Sequence, residues 1–312
     1  MSPKKPLAVI VGPTAVGKTK VSVQLARLLD GEIVSADSRL VYRGMDIGTA
    51  KPTATERRLV LHHLVDVVPP TETYGLARYQ RHANKTIDEI HERGNLPFLV
   101  GGTGQFVTGV LEGWRPPPRP DDQSLRRELE AFADEHGHEA LHARLARVDP
   151  VRAESIDARN VRRVVRALEI YQVTGKPPSD LRVKQPTSFD VFQIGLSRPR
   201  GELYQRIDER IDRMLAAGWL DEVRGLLADG VPLSAPSMSA IGYRQLARHL
   251  RGECTLAEAK SEIARLSRQF VRRQANWFKS DDPDIHWFPM DVGGIDRIEA
   301  ALREWLEGVG RA

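Results

Sequence analysis

Gly12-Pro13-Thr14-Ala15-Val16-Gly17-Lys18-Thr19 fits the pattern G-x-x-x-x-G-K-[ST], and the residues on either side decide what that pattern means. Leu7-Ala8-Val9-Ile10-Val11 before it is a short apolar run of the kind that forms a buried parallel strand. Residues 20–29 after it have helical spacing, with Val21, Leu25, Leu28 and Leu29 on one face. A loop between such a strand and such a helix wraps backbone N–H groups around a phosphate. The helix N-terminus adds its positive dipole end. Lys18 supplies a point charge, and the Thr19 hydroxyl stands where it meets a Mg²⁺ ion. The stretch predicts a strand–loop–helix unit that holds a phosphorylated ligand.

Further along, Glu32-Ile33-Val34-Ser35-Ala36 reads as a second strand ending at Asp37-Ser38, and residues 64–68 as a third, closed by Pro69-Pro70. Residues 74–93 are helical in pattern. Leu96-Pro97-Phe98-Leu99-Val100 is another apolar strand, and it delivers Gly101-Gly102-Thr103-Gly104 at its end. Strands alternating with helices predict an α/β fold, a parallel sheet flanked by helices, with ligands beyond the carboxyl ends of the strands. The phosphate loop, Asp37-Ser38 and Gly101-Gly102-Thr103-Gly104 are all expected at one crevice. The run Trp114-Arg115-Pro116-Pro117-Pro118-Arg119-Pro120 is a stiff linker. Residues 121–175 then turn helical and charged, with Leu125, Leu129, Phe132, Leu141 and Leu145 at core spacing, until Gly175-Lys176-Pro177-Pro178 breaks the pattern. Residues 189–196 alternate like a strand returning to the parent sheet; helices dominate 202–280, and a short one spans 295–306. The expected organisation is a catalytic core of residues 1–120 and 189–312, including C-terminal helices, with a helical insertion domain at 121–188.

With 312 residues, 41% of them hydrophobic and 28% charged, the chain can bury a large core and reads as a soluble globular protein. No apolar run reaches the ~20 residues that span a bilayer, and the basic opening leads straight into the first strand. No membrane association and a cytoplasmic location are expected. The single cysteine, Cys254, excludes an internal disulfide and any Cys-based zinc module. A net charge of +4 is too small to argue for nucleic acid; its distribution says more.

Phosphate-loop enzymes that split ATP use a strand-end acid to hold Mg²⁺. Here the strand at 96–100 ends in glycines, and the acid at a clear strand end is Asp37. It can hold a metal, act as a general base, or simply cap a turn, since Asp-Ser is ordinary turn chemistry. Arg159, Arg162, Arg163 and Arg166 line one helix face, and Arg265, Arg268, Arg272 and Lys279 repeat that spacing with Arg273 beside them. No acid lies between Arg265 and Lys279, so these charges are not locally neutralised, and Ile263, Leu266, Phe270, Trp277 and Phe278 supply that helix's buried side. Such stripes are either solvated faces or surfaces for nucleic-acid phosphates. His138-Glu139-Ala140-Leu141-His142 matches H-E-x-x-H, but no third-ligand signature follows, and two surface histidines are the better account.

Together these segments resemble the tRNA dimethylallyltransferases (tRNA isopentenyltransferases), of bacterial type. The resemblance rests on the phosphate loop, on Ser35-Ala36-Asp37-Ser38-Arg39-Leu40 and its continuation to Gly48-Thr49-Ala50-Lys51-Pro52, and on Gly101-Gly102-Thr103-Gly104. It continues through the 160–169 arginine segment, Ile241-Gly242-Tyr243-Arg244-Gln245, and Arg268-Gln269 to Trp277-Phe278. Departures are Val16 where Ser is frequent, Phe106 for Tyr, Asn276 for Thr and Lys279 for Arg.

The resemblance implies transfer of a dimethylallyl group from its diphosphate to N6 of an anticodon-loop adenosine, at tRNA position 37. Asp37, Thr103 and Arg210 would be catalytic. Gly12 to Thr19 would hold the diphosphate, with Thr19 toward Mg²⁺. The tRNA contacts would be Asp37, Ser38, Arg39, Leu40, Thr103, Arg126, Arg162, Arg163, Arg166, Gly242, Tyr243, Arg244, Gln245, Arg272, Arg273, Gln274 and Trp277. The implied partners are tRNA and dimethylallyl diphosphate, with no zinc, and a monomer is expected. The rival from the residues alone is a phosphate-loop kinase of small molecules or nucleotides, which has no use for two arginine stripes. An RNA-binding ATPase is a third reading, disfavoured by the absent strand-end acid.

Overall fold

The computed structural model describes residues 4–114, 117, 124–181 and 187–309. The chain divides into two compact units, one of Met1–Leu111 with Thr187–Ala312 and one of Glu112–Pro186. In the first, β1 (Lys5–Val11) leads through the phosphate loop into α1 (Lys18–Leu28), followed by β2 (Gly31–Ser35), α2 (Ala54–Leu59), β3 (His62–His63), α3 (Leu76–Glu92), β4 (Leu96–Val100) and α4 (Gly104–Leu111). The second unit holds α5 (Ser124–His136), α6 (His138–Val148), α7 (Pro150–Glu154) and α8 (Val161–Thr174). The first unit resumes with β5 (Phe189–Ser197), α9 (Arg200–Ala216), α10 (Trp219–Ala228), α11 (Tyr243–Leu250), α12 (Leu256–Ala275), β6 (Ile285–Pro289) and α13 (Gly294–Val309).

The six strands form one sheet in the order β3-β2-β4-β1-β5-β6, every pair parallel. The expected α/β fold is the one observed. Residues 7–11 of β1 are fully buried, as a central strand covered on both faces must be. Helices α1 and α13 pack on the sheet and on each other, while α3 packs on β2 and β4. The registers Ile10↔Val100 and Ser35↔Val100 bring the ends of β1, β4 and β2 to one level. That alignment sets three loops side by side.

Four expectations need correction. Residues 64–68 are not a strand: β3 is His62–His63, Leu64 and Asp66 have φ of 60° and 59°, and only Val68 bridges to Tyr42. A left-handed backbone cannot continue a ladder. Strand β6 lies within a stretch with no strand expectation; its aromatic run closes the sheet edge beside β5. Leu28 is exposed although Leu25 is buried, because α1 ends there. Trp277 is not core: α12 stops at Ala275, so Trp277 leaves the helical phase and stands 42% exposed.

The second unit has its own core of Leu129, Leu141, Leu145, Val164, Val165 and Leu168, with Leu125 and Phe132 partly buried against it. The proline-rich linker falls outside the described residues except for Trp114 and Pro117. Among the described residues no helix is long and apolar enough to cross a membrane.

Candidate active site

A cleft opens at the strand ends of the first unit. Lys18, Thr19, Asp37, Arg206, Arg210 and Arg213 form its polar lining, and Ile33, Leu40, Val65 and Val100 contribute an apolar side. The phosphate loop is held by its own carbonyls. Lys18 Nζ donates to Gly12 O (3.0 Å) and Pro13 O (2.9 Å), Arg206 Nε to Ala15 O (2.8 Å) and Arg198 Nε to Val16 O (3.0 Å). Turning carbonyls outward toward these cations, with the Thr14 N–H held by Gln274 Oε1 and the Val16 N–H by Pro13 O, leaves the N-terminal turn of α1 to face an anion. Desolvation pulls the Lys18 ammonium down to about 8, against the partial support of Asp37 and with Arg210 pushing the same way as burial. Burial lowers the Arg210 guanidinium as well. Two crowded, desolvated cations beside one carboxylate make a site short of negative charge.

Arg206, Arg210 and Arg213 recur at i, i+4 and i+7 on α9 and reach the cleft together. Sequence reading singles out Arg210 alone; the helical spacing of its neighbours is the signal for the other two. His62, Thr49, Ala50 and Val65 also line the cleft, and none of them is singled out as a site residue from the sequence.

Asp37 follows β2, and its Oδ1 accepts the N–H of Arg39 at 2.8 Å, so the turn-capping role and the cleft position coexist. Thr103 does not line the cleft. Its N–H donates to Ala36 O (3.3 Å), and its hydroxyl accepts the Ser38 N–H (3.1 Å), tying the loop after β4 to the loop after β2. The glycines around Thr103 permit that approach. A Cβ on Gly101 would lie 2.1 Å from Ala36 O, and one on Gly104 would lie 2.2 Å from Trp277 Cγ.

Several residues expected at the tRNA make internal contacts in the first unit. Tyr243 is fully buried; its hydroxyl donates to Glu222 Oε1 at 2.7 Å, and burial with that carboxylate pushes its ionisation far above the usual phenol range. The same Glu222 carboxylate accepts the N–H groups of Asp46 (2.6 Å), Ile47 (2.7 Å) and Gly48 (3.1 Å), pinning the segment that follows Asp37. Gly242, at φ 102°, lies where a Cβ would meet the Trp219 ring at 2.0 Å. Buried Lys51 anchors the far end through Asp46, Asp66 and Tyr42 O. The Tyr243→Phe variant is therefore expected to lose about 1.5–3 kcal/mol of stability, the worth of a hydrogen bond to a charged group. Its denaturation midpoint should fall at constant m value, with tRNA affinity unchanged.

Gln274, another residue expected at the tRNA, is buried, with 3% exposure. Arg126 is spent on the buried Glu169 through two 2.8 Å bonds, which raises its pKa, and Arg166 reaches Glu169 (3.4 Å) and Pro117 O (3.0 Å). The stripe on α12 is also partly neutralised: Arg268 pairs with Asp208 at 2.6 Å, and Arg265 lies 4.0 Å from Glu262. The acid that neutralises Arg268 sits on α9, outside any window along α12. Arg162, Arg163, Arg244 and Arg272 are exposed with no acidic partner among the described residues, and Arg273 is exposed beside the Phe270 ring. In the H-E-x-x-H segment, His142 Nε2 lies 3.1 Å from Ala153 O and 2.9 Å from Ile156 O, a structural contact within the second unit.

Comparison with known proteins identifies the family. Residues 40–281 match the IPP transferase family and residues 5–62 the isopentenyl transferase family. The tRNA dimethylallyltransferase of Roseiflexus castenholzii is 52% identical over 306 residues, covering 97% of this chain and 99% of that protein. That of Thermomicrobium roseum is 47% identical over 309 residues, 97% and 94% of the two chains. Among solved structures, the tRNA isopentenylpyrophosphate transferase of Bacillus halodurans superposes with a TM-score of 0.74 at 43% identity, covering 99% of each chain. A eukaryotic dimethylallyltransferase acting on tRNA gives 0.82 at 28% identity, covering 97% of this chain and 80% of that one. Likeness of that degree, end to end and in both sequence and fold, makes this chain a member of the tRNA dimethylallyltransferase family.

Proposed function

We propose that this chain transfers a dimethylallyl group from dimethylallyl diphosphate to N6 of an anticodon-loop adenosine in tRNA, releasing diphosphate. The observation that carries the reading is one cleft in which the desolvated Lys18 and Arg210 face the Asp37 carboxylate. The cations and the phosphate loop bind the diphosphate, and Ile33, Leu40, Val65 and Val100 suit a short prenyl chain. Adenine N6 is a poor nucleophile because its lone pair is delocalised into the ring. Asp37 takes its proton as the N6–C1 bond forms and the C1–O bond to diphosphate breaks. Lys18 and Arg210 stabilise the charge gathering on the leaving group. The base must leave its stack to reach the cleft.

Mg²⁺ fits the donor set as a diphosphate-borne ion. Thr19 offers a hard oxygen in the cleft, and no group of three or more Asp, Glu, His or Cys side chains suited to a protein cage occurs among the described residues. When bound through Thr19 it would add positive charge beside the leaving group.

Exposed Arg162 and Arg163 on α8, and Arg272 and Arg273 on α12, are the proposed tRNA phosphate contacts, with Arg244 on α11 as a further candidate. The variant Arg162→Ala with Arg272→Ala should lower tRNA affinity and flatten the salt dependence of log K by ~0.7–0.9 for each phosphate it no longer neutralises. Diphosphate binding should not change. Identical tRNA binding across a salt series would return these arginines to ordinary solvated surface.

The decisive assay incubates the chain with dimethylallyl diphosphate labelled in the prenyl group and unmodified tRNA. Label is expected in the tRNA, on N6 of an adenosine. Turnover of ATP with no label in the tRNA would defeat the reading.

A further inference from the structure

Gln274 joins two loops that lie far apart in sequence. Its Oε1 accepts the Thr14 N–H at 2.8 Å, and its Nε2 donates to Gly102 O at 3.0 Å. Thr14 belongs to the phosphate loop; Gly102 precedes Thr103, whose hydroxyl receives the Ser38 N–H beside Asp37. Among the described residues no other side chain hydrogen-bonds to both loops. The fit is close, since a Cβ on Gly102 would stand 2.2 Å from Gln274 Nε2. Bridging an N–H on one side and a carbonyl on the other demands an acceptor and a donor on one side chain, which a primary amide supplies and a carboxylate does not. Buried as it is, each broken bond would leave a loop group unsatisfied.

We propose that Gln274 is a positioning residue that holds the phosphate loop in register with the strand-end loops carrying Thr103 and Asp37. The diphosphate sits on one of these loops and the proton acceptor on another, so their offset sets the alignment of N6, C1 and leaving oxygen. Misplacement of reacting groups by 1 Å can cost about 100-fold in rate. The inference rests on the transfer reaction proposed above and adds a role in alignment to it.

The test compares Gln274→Met and Gln274→Glu with the wild-type chain in the labelled-prenyl assay, at saturating tRNA. Methionine keeps the length and flexibility of the side chain and removes both hydrogen bonds. Its kcat is expected to fall roughly 10–100-fold, while the tRNA Kd and its salt slope stay at the wild-type values. Glutamate keeps the acceptor for Thr14 but sets a carboxylate oxygen against Gly102 O. It should show the same loss of kcat with a raised KM for the diphosphate, and it carries the test should the methionine variant not fold. Wild-type kcat in Gln274→Met overturns the role, because a packing function would survive that change. A loss of tRNA affinity that accounts for the loss of rate also overturns it, by making Gln274 a tRNA contact. A wild-type chain that moves no label into tRNA defeats the underlying reaction instead, which separates the two failures.

Discussion

The Asp37→Asn variant is expected to lose roughly 10²–10⁴-fold in kcat, the usual worth of a positioned general base. Asparagine is the informative replacement because its side-chain oxygen still accepts the Arg39 N–H, so the turn after β2 survives while the proton acceptor is lost. Alanine would remove both and confuse base with cap. Binding of tRNA should hold. A second signature follows from Lys18, whose charge Asp37 supports: without that carboxylate the ammonium ionises below its present value of about 8. Diphosphate binding by the variant should therefore begin to weaken at a lower pH than in the wild-type chain. Single-turnover transfer and a pH series of diphosphate affinity measure the two effects, and near-full turnover by Asp37→Asn would remove Asp37 from the chemistry.

Lys18→Met is expected to lower kcat/KM for dimethylallyl diphosphate by roughly 10²–10³-fold, the scale found when one preorganised donor to a developing anion is removed. The ammonium is crowded and desolvated in the free site, and a bound diphosphate would raise its pKa again. Below about pH 8 it is protonated both free and bound, so affinity is flat there. Above that pH binding must take up a proton, and affinity falls as pH rises. In Lys18→Met that limb should vanish. Calorimetry in two buffers of different ionisation enthalpy would reveal the proton uptake directly, and an unchanged pH profile in the variant would assign the limb elsewhere.

Much of the sheet was legible because β1 and β4 are buried on both faces and read as unbroken apolar runs at 7–11 and 96–100, while 189–196 alternates as a strand does. Residues 64–68, apolar except for Asp66, read as a strand, yet Leu64 and Asp66 take left-handed backbone and the pairing residues are His62 and His63. Hydrophobicity reports that a segment is covered, and it does not report which backbone geometry covers it. The site was legible where local chemistry is diagnostic, at Gly12 to Thr19 and at the strand-end Asp37. It was less legible where a polar residue can face either way. Tyr243 and Gln274 sit in segments rich in arginine, and only packing reveals that they point inward to Glu222 and to the two loops.

From the sequence by itself came the parallel α/β class, the phosphate loop and its flanking elements, the helical character of residues 121–175, and a family resemblance strong enough to name the reaction. These are properties of short windows, in which periodicity, β-branching and glycine spacing act between residues a few positions apart. The tertiary structure alone decided which charges remain unpaired. Arg268 meets Asp208 from a neighbouring helix, and Arg126 and Arg166 converge on Glu169, leaving Arg162, Arg163 and Arg272 exposed. It also decided that Arg206, Arg210 and Arg213 reach the cleft of a loop some 190 positions earlier, the separation of Arg206 from Ala15 being 191. Electrostatic pairing depends on distance in space, and the chain brings such partners together only when the sheet's strand order stacks the loops at one end.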